Sequence, residues 1–172
     1  MTEQAPTDEE AARARERLEE TSAAIVAGVE AWMPRWVQAQ VTRLLDAWAR
    51  VEPAARASAE AQAADAGIAA SRRVAAALRE LFATPPERQR ATPLEIVRSV
   101  YREPTEVLAA AGVPPVVRDE FDERSWPDDV YGLVPRTLGE LGDPDLGPLQ
   151  LAWGLAKATV MRARGQPGTC PR

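Results

Sequence analysis

Residues 25–51 read IVAGVEAWMPRWVQAQVTRLLDAWARV, and their spacing decides the fold class. Apolar residues recur at Ile25, Val29, Trp32 and Trp36, then at Val37, Val41, Leu44, Trp48 and Val51, in steps that alternate between four and three. That period lines them along one side of an α-helix. The stripe slips in phase between Trp36 and Val37, and Pro34 stands beside the slip. A proline inside a helix removes a backbone donor and its ring crowds the preceding turn, so a kink or short break is predicted near 33–34.

Outward from this stretch the helical signal continues in both directions. Residues 1–6 form a leader with no periodicity, after which Thr7 and Glu10 make a T-x-x-E capping box that opens a helix. Glu52-Pro53 marks a turn and a new start, since proline is tolerated at the first helical position. From Pro53 to Ala83, 14 of 31 residues are alanine, so this helix offers small side chains where a neighbour can approach closely. The four-three spacing predicts a seam at Ala57, Ala61, Ala64, Ile68, Ser71, Ala75, Leu78 and Phe82. Residues 7–83 therefore read as long amphipathic helices, packed as a hairpin or three-helix bundle, with the same seam open to coiled-coil-like pairing with a second copy.

The stretch 84–92 is polar and proline-rich and reads as a linker. Thr92, Pro93 and Glu95 then restart a helix with a cap, a first-position proline and a completed box. Beyond it the elements are shorter: helices over 94–102 and 104–111, the second stopped by Gly112, an extended loop over 113–130, a short turn near 136–141, and a last helix from about Pro148 to Arg164. That last helix is apolar on most of its circumference and is expected to lie buried at the centre. Asp145 is its candidate cap, Gly165 its stop, and Gly154 within it costs about 1 kcal/mol of helix propensity relative to alanine. Residues 93–165 read as a compact, loop-rich helical module and 166–172 as a flexible tail. The expected fold class is all-α.

Composition bounds the chemistry. With 172 residues, 45% apolar and 27% charged, the chain can build a globular core; with only 5% aromatic, that core must rely on close helix contacts. The chain contains no histidine, which excludes histidine acid–base catalysis, His-containing triads and the commonest transition-metal ligand. Its one cysteine, Cys170, has no partner for an internal disulfide. No run approaches the roughly 20 apolar residues of a membrane span, and the N-terminus lacks a signal-peptide pattern, so a cytoplasmic protein is expected. Lys157 is the only lysine among many arginines, a usage typical of high-GC bacterial genomes. Net charge alternates along the chain, at −5 for 1–70, +4 for 71–102, −8 for 103–146 and +4 for 147–172. Such alternation suits internal or partner complementarity better than a nucleic-acid-binding face.

Several clusters could carry chemistry. Asp119, Glu120, Asp122, Glu123, Asp128 and Asp129 bring together oxygen ligands of the kind hard cations use, but without the glycine turn and closing glutamate of a calcium loop, so no metal site is assigned. Lys157 on an apolar helix reads as a snorkelling side chain rather than a nucleophile. Tyr101, Arg102, Tyr131 and Arg136 could hold an anion in a cleft, and Arg72, Arg73, Arg79, Arg88, Arg90, Arg98 and Arg102 read as a solvated face or as internal ion-pair partners. No cofactor or catalytic residue is assigned, and nucleic acid is not an expected partner. The candidate partner-binding residues are the tryptophans Trp32, Trp36 and Trp48 and the loop aromatics Phe121 and Trp126, because exposed aromatics anchor interfaces. The expected function is a non-enzymatic interaction, scaffolding or regulatory role through protein contacts, either with a protein partner or by self-association through the N-terminal helices. The alternative is a small enzyme or ligand-binding protein with its site framed by 113–136.

Overall fold

A computed structural model describes residues 6–48, 50–114, 137–143 and 145–165. The first helix, α1 (Asp8–Ala47), opens on the Thr7 box. The Glu10 N–H donates to the Thr7 hydroxyl at 3.2 Å, and the Glu10 carboxylate accepts the Thr7 N–H at 2.7 Å. The Thr7 hydroxyl also donates to that carboxylate, at 3.0 Å, and the Thr7 N–H first and its hydroxyl second hold the Glu10 carboxyl below its usual pKa. The helix does not break at Met33–Pro34 but runs through Pro34 for all its 40 residues. Its neighbour supplies the reason. Pro34 cannot donate to the Glu30 carbonyl, and the buried Ser71 hydroxyl of the next helix donates to that oxygen at 3.4 Å instead. Gly67 makes the approach possible, because a Cβ on it would lie 2.9 Å from both the Cα and the carbonyl oxygen of Pro34.

The phase slip has a geometric origin as well. Ile25, Val29, Met33, Val37, Val41 and Leu45 are all buried, at unbroken steps of four. Each such step turns about 40° past a full revolution, so the buried face winds around α1 and meets different neighbours along its length.

One of those neighbours is α2 (Pro53–Ala83), which returns antiparallel to α1. Its seam follows the expected spacing at Ser71, Ala75 and Leu78 but departs from it earlier, where Ala59, Ala63, Gly67 and Ala70 are buried and Ile68 is 42% exposed. A run of alanines has the same side chain on every face, so its own sequence cannot set the register. Pro34 against Gly67 sets it, together with Val41 and Leu45, which pack with Ala59 and Ala63 in a cluster closed by Val107 and Val113.

Past the 84–92 segment come α3 (Pro93–Val97), a 3-10 turn (Arg98–Arg102) and α4 (Glu103–Ala110). Thr92 and Glu95 repeat the capping box, and there too the carboxyl is held below its usual pKa by the Thr92 N–H and then its hydroxyl. Gly112, at φ +77°, ends α4. The Val113 N–H donates to Leu108 O at 2.9 Å and the Gly112 N–H to Ala109 O at 3.1 Å, the paired bonds of a Schellman stop. Leu94, Val97 and Val100 enter the same hydrophobic cluster as Ile25, Val29, Met33, Val74 and Leu78, so both sides of the 84–92 segment share one core. Leu138 and Leu141 join it from a short 3-10 turn (Gly139–Leu141). The last helix, α5 (Leu146–Arg164), lies along α1 and adds Leu146 and Trp153. Ion pairs tie elements together, with Arg79 on Glu30 at 2.6 Å, Arg73 on Glu103, and Arg164 on Glu87 at 2.8 Å. The described residues contain no strand, and none of their helices is long and apolar enough to cross a membrane.

Two glycine substitutions test the register. Gly67→Ala should destabilise the protein by about 1–3 kcal/mol in urea denaturation, because rigid backbone stands where the methyl would go and strain outweighs the helix-propensity gain. Gly28→Ala should cost less, since its Cβ would meet only the Leu146 side chain, at 2.7 Å, which can rotate away. Equal stability of Gly67→Ala and the parent would show that the Pro34 contact does not set the α1–α2 spacing.

Candidate partner-binding surface

Helix α5 is where the structure departs furthest from expectation. Its sequence is apolar nearly all round, yet it is a surface helix rather than a central one. Trp153, Ala156 and Val160 face inward and are buried. On the opposite side, Leu151 is 65% exposed and Leu155 63%, one helical turn apart, with Met161 at 41%. Ala158 is exposed between them. Gly154 lies on this side as well, and among the described residues a Cβ on it would meet nothing within 4 Å. At Gly28, Gly67, Gly139 and Gly147, by contrast, another element lies within 3.4 Å of the same point. A helix laid on one layer of helices buries one face, and here the second apolar face is left to solvent.

Of the sequence-selected anchors, Trp32 is buried, stacked on Trp36 with ring centroids 5.3 Å apart. Trp36 is half-buried and meets Tyr101 edge-on at 5.2 Å, which joins α1 to the 3-10 turn at Arg98–Arg102. Trp48 is half-buried against the Val41–Leu45 cluster, and its indole N–H finds no acceptor among the described residues. Phe121 and Trp126 lie outside the described residues, as do Tyr131, Arg136 and the acidic run 119–129. Among the described residues no three acidic or cysteine side chains are grouped as a metal site. Leu151, Gly154, Leu155 and Met161 were all read as interior from sequence. Their signal was width: the apolar face is broader than a single neighbouring layer can cover.

Lys157 stands on the edge between the two faces. Its ammonium lies 5.0 Å from the centre of the Trp153 ring, and Phe82 packs on that ring at 5.9 Å. This is a cation held over an aromatic face, not a nucleophile in a pocket. Beside the other end of Phe82, an open groove of about 490 Å³ is walled by Leu18, Phe82, Pro85, Pro86 and Val160, with the Arg164–Glu87 pair on its rim. Compared with protein-family models, with curated proteins and with solved structures, the chain matches none.

Burial pushes the Lys157 pKa below its ordinary 10.5. As the only lysine, it can be followed alone by NMR of its side chain. Its midpoint should fall below that of an unfolded control. In the interval between the two midpoints the unfolded chain binds more protons, so folding stability should rise with pH there. A midpoint at or above the control's would mean that the Trp153 ring and neighbouring groups outweigh desolvation.

Proposed function

We propose that this chain is a helical interaction or scaffolding protein that works through protein–protein contacts, with the outer face of α5 as its contact surface. The observation that carries the reading is the apolar outer side of α5, where Leu151 and Leu155 are exposed one turn apart and Met161 is exposed on the flank six residues further on. Fully burying a leucine is worth roughly 1.5–3 kcal/mol, and two leucines nearly two-thirds exposed leave most of that ungained in the isolated chain. Single exposed apolar residues are ordinary; a contiguous stripe at helical spacing marks an interaction site. Helical spacing also fits a partner that supplies a helix of its own, in the manner of an amphipathic helix laid on an apolar face. The N-terminal seams contribute less to this reading, because α1 and α2 bury theirs against each other and against α5.

The test compares the parent with Leu151→Glu/Leu155→Glu in affinity capture from the native host, after thermal denaturation of the monomers. Both side chains face solvent, so the melting temperature of the monomer should stay within about 2 °C, as for surface changes generally. Proteins retained by the parent, further copies of the chain included, should be lost from the variant. An unchanged set of retained proteins would rule out α5 as the contact surface.

A further inference from the structure

We draw no further inference here: the strongest candidate, the apolar outer face of α5 around Leu151, Gly154 and Leu155, belongs to the surface already described, and nothing in the structure shows what covers it.

Discussion

The fold depends on one close approach, where Pro34 of α1 meets Gly67 and Ser71 of α2. A proline in the interior of a long helix costs about 3 kcal/mol or more, from a missing hydrogen bond and a crowded carbonyl. Here the stranded Glu30 carbonyl takes the Ser71 hydroxyl, and Gly67 gives the proline turn room to press against the second helix. The two residues sit four apart on α2, so one helical face offers both the space and the donor. Because the neighbouring alanines are interchangeable, this contact fixes how α2 slides along α1, and through Val41, Leu45, Ala59 and Ala63 it fixes where the C-terminal elements can dock.

Much of this was written in the sequence, and the pattern of misses is physical. The helices over 7–83, both capping boxes and the Gly112 stop follow from local chemistry, because caps and stops use groups within a few residues of each other. The alanine seam did not follow. Its first half was placed on Ala57, Ala61, Ala64 and Ile68, while the buried residues are Ala59, Ala63, Gly67 and Ala70. Periodicity locates a face only where side chains differ in size and polarity, and Ser71 to Leu78, where they do differ, was placed correctly. The break at Pro34 failed for a related reason: propensity describes the isolated helix, whereas the donor that rescues it lies 41 residues away.

The aromatic residues show a division of labour that composition alone conceals. Among the described residues, two aromatic pairs sit at joints between elements: Trp36 on Tyr101 joins α1 to the turn after α3, and Phe82 on Trp153 joins α2 to α5. Rings provide large contact areas with few rotatable bonds, so they suit joints where short elements meet long ones. Along the helices themselves, alanine, valine and glycine keep the axes close. Trp32, Trp36 and Trp48 pack within the chain, and among the described residues the large apolar side chains left exposed are Ile68 on α2 and Leu151, Leu155 and Met161 on α5.

Geometry divides α5 into an inward face and an outward one. Trp153, Ala156 and Val160 hold α5 to the body of the protein, while Leu151 and Leu155 stand largely exposed on its other side and Met161 on its flank. Residues on opposite faces of one helix share a backbone but no contacts, so changes on one face should act nearly independently of the other. An apolar outer face also exposes the chain to indiscriminate association. In the proposed interaction the outer face would supply apolar attraction, while the inner face would hold α5 in place with or without a partner.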